Sequence, residues 1–426
     1  MLRILIAVTS MICVTTVARA VTVNEIAERY VHLVLVMGQH DADYVDAFYG
    51  PADWKRAADA DKKSLEDIGR EAKELEAQVP AKLDSADQML TLRCEYLRKQ
   101  LAALEARVRI LRGEKLTFDQ ESRALYDAVA PHFPDSHFDE ILKQIEGKVG
   151  GDGPLWQRYD NWRKTFVIPH DKLDRVFHLA IAECRKRTLA HVSLPANESF
   201  TIEYVTNKPW GGYNWYKGDY RSVIQVNTDL PIYIDRAVDL AAHEGYPGHH
   251  VYNALLEKNL VHDRAWPEFA VYALFSPQSL IAEGSANYGR EVAFTKAERM
   301  KFEKELLFPA AGIDPARADD YYAVQELMDK LSFAGNEAAR RLLDGEIDEA
   351  AAEQWLQKYS VMEPRRAKQR VQFIKRYRSY VINYNTGQEM VKRYIEARGG
   401  TDADPEKRWR EFAELLSSPR LPGSLH

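Results

Sequence analysis

Three histidines and a glutamate fall within eight residues: His243-Glu244-Gly245-Tyr246-Pro247-Gly248-His249-His250. Imidazole nitrogens and a neighbouring carboxylate are what a hydrolytic zinc site needs. The metal takes three protein ligands and leaves a position for water, and a carboxylate accepts the water's proton. The common arrangement puts two histidines at i and i+4 on one helix face, with glutamate after the first. Here His243-Glu244 supplies the first half, but the next histidines come at i+6 and i+7. On a regular helix i+6 lies roughly 120° off the face, and i+7 lies about 10 Å along the axis. Neither could chelate from an unbroken helix. Pro247-Gly248 interrupts the run, and proline removes a backbone hydrogen bond and kinks a helix. The expected second histidine ligand is therefore His249, with His250 as the alternative, on a kinked helix spanning about 234–260.

A third ligand should come from a later helix. Glu283 is the candidate, in Leu280-Ile281-Ala282-Glu283-Gly284-Ser285-Ala286-Asn287-Tyr288. Gly284 and Ala286 would allow close approach to the metal helix. Asn287 could support a ligand by hydrogen bonding, and Asp239, four residues before His243, could orient that imidazole. Glu244 would be the general base. An oxyanion formed during hydrolysis needs a donor; Tyr384 is the choice, with Tyr380 and Tyr288 behind it. Arg366, Arg370, Tyr377 and Tyr384 recur at four- and seven-residue spacings, as on one face of a helix over about 365–384. An arginine there could hold a substrate carboxylate, or the row could be a solvated, ion-paired basic face.

These motifs resemble the bacterial domain of unknown function family numbered 885, itself similar to zincin metallopeptidases. The resemblance rests on His243 to His250, on Glu-Gly-x-Ala-x-Tyr-x-x-Glu at Glu283 to Glu291, and more weakly on Tyr384-Asn385-Thr386-Gly387. It is specific over about 204–395. It implies a large helical zincin-like fold with one Zn2+ per chain, held by His243, His249 and Glu283, with Glu244 as base. Ser285 stands where many relatives carry tryptophan, a departure that would open the pocket.

The elements around these residues are mostly helical. Apolar residues recur every three or four positions over 64–79, 86–113 and 172–191, and Gly150 to Pro154 reads as an exposed loop. Residues 200–205 and 222–226 alternate and are β-branched, which implies two or three short strands in a small antiparallel sheet. Ser222 to Asn227 would be an edge strand able to pair with an extended peptide, with Trp210 to Tyr213 as a rim. The aromatic stretch 41–54 reads as a packed turn or a wall of the cleft. The expected fold class is mainly α: an N-terminal helical region over 21–197 and a catalytic region over 198–426, intertwined as one unit.

The first twenty residues read as a cleavable export signal: Arg3, an apolar run from Ile4 to Val17, and Ala18-Arg19-Ala20 before a mature start at Val21. A periplasmic or secreted protein without stable membrane insertion follows. Cys94 and Cys184 then remain, either bridged or as two buried thiols. A net charge of −6 and a pI near 6.1 argue against nucleic-acid binding. Together these features point to an exported zinc peptidase of carboxypeptidase or oligopeptidase type, acting on a peptide or small amide. A zinc amidase or esterase, and a non-catalytic peptide-binding relative, are the alternatives. The residues do not specify an oligomeric state.

Overall fold

The helices begin where the sequence supplies caps. Thr22 and Glu25 form a capping box that starts Val23–Met37, whose apolar side chains are buried. Ser64 and Asp87 cap Leu65–Gln78 and Gln88–Leu111 by accepting from the Asp67 and Met89 backbone N–H groups. A further long helix, Leu173–His191, leads into the strands. The computed structural model describes residues 21–81, 85–208 and 210–425; the export signal lies outside them. The architecture is mainly α, with one continuous hydrophobic core drawn from both ends of the chain.

Among the described residues five short strands interrupt the helices: β1 (Val45–Phe48), β2 (Ser199–Val205), β3 (Gly212–Gly218), β4 (Arg221–Asn227) and β5 (Val271–Ala273). The three-stranded sheet has the order β2-β4-β3. Its β3–β4 hairpin is antiparallel, while β2 joins β4 in parallel. The expected edge strand, 222–227, is the central one, so its backbone is paired on both sides. The free edges belong to β2 and β3. The second sheet is long-range: β1 pairs antiparallel with β5. A buried ion pair between Arg93 and Glu268 (2.6 Å) crosses the same interval. The 41–54 stretch is thus a turn, the strand β1 and the first residues of helix Ala52–Ala60, and Asp43 and Asp46 from it line the central cleft.

Cys94 and Cys184 are both buried and unbonded, so the disulfide alternative is set aside. Burial raises both thiol pKa values, that of Cys184 to about 12, which makes them inert apolar side chains.

Candidate metal centre

The interruption in the histidine segment is sharper than a kink. Helix Asp235–Leu240 widens into a π turn over Ala241–Gly245. The chain then leaves helical geometry at Tyr246, Pro247 and Gly248, and a new helix, His249–Leu256, begins. The Tyr246–Pro247 peptide is cis. Two backbone bonds close the break: Tyr246 N–H donates to the Ala241 carbonyl (2.9 Å) and Gly248 N–H to that of Ala242 (2.8 Å). Gly248 is required because a Cβ there would lie 2.0 Å from the His243 carbonyl oxygen. Winding wide and then restarting removes the angular offset that would keep His249 from His243.

The imidazoles converge. His243 Nε2 and His249 Nε2 stand 3.1 Å apart, and Glu283 Oε2 lies 3.3 Å from the first and 3.6 Å from the second. Glu244 Oε1 is 4.0 Å from His243 Nε2, and His243, Glu244 and His249 offer ligand atoms that all fall within 4.8 Å of one another. Both glutamates could therefore contribute. Glu283 has the shorter approach to the two histidines, whereas Glu244 stands off from them.

Glu283 comes from helix Pro277–Ala293. A Cβ on Gly284 would sit 2.4 Å from the Gly387 carbonyl carbon, so this helix and Ile382–Ala397 touch backbone to backbone. The Glu-Gly and Thr-Gly motifs are the two halves of one contact, made with the tyrosine-bearing helix rather than the metal segment. It brings Tyr380, in the preceding 3-10 turn, within 2.7 Å of Glu283, and its hydroxyl donates to Oε1. The other oxygen, Oε2, is buried without a hydrogen-bond partner.

Asn287 fixes the His243 tautomer. Its amide nitrogen donates to the Tyr384 carbonyl (2.9 Å), so its oxygen faces His243 Nδ1 at 2.9 Å. Nδ1 must then carry the proton, and the lone pair of Nε2 points at His249 and Glu283. Asp239 does not orient His243; it is engaged by Arg290 (2.8 Å), Arg299 and Arg236. A converged lone pair, a second imidazole and an orphaned carboxylate oxygen form a donor set that fits a divalent cation, and zinc suits this mixture of nitrogen and oxygen. Burial disfavours a charged His249, yet Glu283, Glu244 and Asp46 more than offset it and hold its pKa at about 9. Burial likewise opposes ionisation of Glu283, but the two imidazoles 3.3 and 3.6 Å from it keep its pKa well below the usual range. Such a pocket favours positive charge.

His250 faces away from this set. It is fully buried, with Nδ1 2.9 Å from the Ser222 hydroxyl and Nε2 3.0 Å from Glu198. Glu198 also accepts from Tyr246 (2.5 Å) and Arg185 (2.6 Å). Of the two alternatives, the structure places His249 in the cluster and His250 in a separate polar pocket behind the sheet. Glu198 and Ser222 had no sequence signal as partners, because 52 and 28 residues separate them from His250.

The cluster opens on a cleft of about 1440 Å³, lined among others by Tyr384, Tyr213 and Asn214. Tyr384 makes no hydrogen bond through its hydroxyl to the described residues, while that of Tyr380 is committed to Glu283. Tyr288 packs against Phe412, away from the cleft. Ser285 is also buried and bonds the Ala282 carbonyl, so it does not open the pocket. The expected helix over 365–384 is divided: Pro364–Tyr377 ends at Arg378, which has a φ of 55°. Arg366, Arg370, Tyr377 and Tyr384 all line the cleft nonetheless.

No family model and no curated protein matches the chain. Solved structures align with the chain, and the first named here shares its fold. A provisionally assigned lipoprotein from Colwellia psychrerythraea aligns over 85% of this chain and 68% of its own, with a TM-score of 0.52 and 14% identity. A structure named BsuCP aligns over 92% and 90% (TM-score 0.44, 13% identity). A further provisionally assigned lipoprotein of unknown function, from Shewanella oneidensis, aligns over 93% and 88% (0.38, 14%). Among the described residues no helix is long and apolar enough to cross a membrane.

Proposed function

We propose that this protein is an exported zinc-dependent peptidase related to the zincins through the family resemblance of its motifs. The observation that carries the reading is the meeting of His243, His249 and Glu283 around an unsatisfied carboxylate oxygen at the base of a large cleft. These three would hold the metal. When bound, zinc would polarise water and the scissile carbonyl.

The chain's own groups supply the remaining chemistry. Glu244, standing off from the histidines, takes the proton of the attacking water and delivers it to the leaving amine as the C–N bond breaks. Tyr384 donates its free hydroxyl to the developing oxyanion. Tyr380 and Asn287 hold Glu283 and His243 in place. β3, whose other side is taken by β4, offers its backbone edge at the cleft to an extended substrate. The leader and the absence of a spanning helix among the described residues fit a periplasmic or secreted protein.

Elemental analysis of the purified mature protein should find one zinc per chain. A mixed peptide library should be cut by it and spared after chelation. Turnover of esters alone would move the assignment to the esterase alternative, and zinc without turnover would favour a binding protein.

A further inference from the structure

The cleft's charges are unevenly partnered. Five of its cations, Arg163, Arg236, Arg290, Lys392 and Arg393, lie within 4.0 Å of a carboxylate. Arg366 and Arg370 also line it, and no carboxylate among the described residues comes that close to either guanidinium; Glu363 caps the helix through the Arg366 backbone N–H, and it and Asp160 act on the Arg366 charge only from farther off. They sit four residues apart on Pro364–Tyr377, hence one turn and about 6 Å along the same face. Arg370 lies over the Phe373 ring (4.9 Å) and next to Tyr384. Arg366 lies near the Tyr233 ring (6.0 Å) and next to Arg163, a like charge. Burial lowers the pKa of both guanidiniums. Of the acidic side chains elsewhere along the cleft, Asp43 is paired with Arg376, Asp46 with the Tyr213 hydroxyl and Glu291 with Lys392.

A partly buried cation without a counter-charge costs stability, and proteins retain such groups where a ligand completes them. Guanidinium is planar and forks onto a carboxylate through two parallel hydrogen bonds. Tyr384 is within electrostatic reach of Arg370 and also of Glu283 and Glu244, so the arginine and the histidine cluster share one cleft. We propose that Arg370, seconded by Arg366, binds the terminal carboxylate of a short peptide, so that the cleft accepts substrates by their free C-terminal end. This rests on the peptidase reading for the reaction, but not for the binding.

Calorimetry with acetylated trialanine and its C-terminal amide separates the two. On Glu244→Gln protein, where turnover cannot intervene, the acid should bind roughly 30-fold tighter than the amide, the size of one charge-assisted pair. Arg370→Gln should abolish most of that preference, Arg366→Gln a smaller part, and Arg370→Lys should restore some of it with an unchanged melting temperature. Equal binding of acid and amide, or a preference that survives Arg370→Gln, overturns the carboxylate site. If the wild-type protein cuts no peptide while the acid preference stands, the peptidase reading fails and the carboxylate site remains. If it cuts amidated peptides as fast as free acids, the peptidase reading stands and the site fails.

Discussion

Two polar pockets flank the Tyr246-Pro247-Gly248 break, and adjacent histidines belong to different ones. In the pocket behind the sheet, His250 has a partner on each ring nitrogen, and Glu198 is bonded by His250, Tyr246 and Arg185. In the cleft pocket, His243, His249 and Glu283 are equally well placed but incompletely served, and Glu283 Oε2 is buried with no hydrogen-bond partner. A satisfied buried network rigidifies its surroundings. An unsatisfied one is costly, and its retention points to a missing component. The closed pocket therefore reads as the scaffold of the break, and the open one as the place where chemistry is added.

The largest expected effect separates charge from ligation within the open pocket. Glu244→Gln should lower kcat by about 10²–10⁴-fold while leaving the zinc content of the purified protein unchanged; loss of the metal instead would make Glu244 a ligand. In the closed pocket, His250→Ala should leave zinc stoichiometry at one but destabilise by about 3 kcal/mol in denaturant melts, since Glu198 loses a buried partner. A drop in metal content without a drop in stability would reverse the assignment of the two histidines. Asn287→Ala should weaken zinc affinity roughly 10–100-fold in competition with a chromogenic chelator, by freeing the His243 tautomer; an unchanged affinity would remove Asn287 from the site.

A control comes from outside both pockets. Burial raises the Glu303 pKa to about 8, only partly offset by its pair with Arg299. Above its ordinary value of 4.5, the folded chain keeps a proton that the unfolded chain has released. Stability should therefore fall as pH rises from there toward 8, by up to about 1.4 kcal/mol per pH unit. Glu303→Gln should flatten that slope in melts taken across the window; an unaltered slope would place its origin elsewhere.

Much of the frame was legible because its signals are local. Helical periodicity located Leu65–Gln78, Gln88–Leu111 and Leu173–His191 to within about two residues, and β-branched alternation located β2 and β4. β1, β5 and the parallel β2–β4 pair were not legible, since their partners lie far along the chain and short strands carry little pattern of their own. The small residues at Gly284 and Gly387 were visible as motifs, but not as each other's contact. Asp239 had the right spacing to reach His243, yet Arg236 on its own helix and Arg290 and Arg299 from later helices claim it.

The histidine segment itself shows the division most clearly. Residue types and spacing alone raised metal chemistry as the expectation there, and determined that a regular helix could not deliver it, because i+6 is off the face by simple rotation. Only tertiary structure decided how the offset is removed and which histidine benefits. A π turn, a chain break at Gly248 and a restarted helix set the direction of His249. Ser222 from β4 and Glu198 from just before β2 hold His250 to the other side. Those partners are fixed by packing across the whole chain, and no local pattern in the sequence could name them.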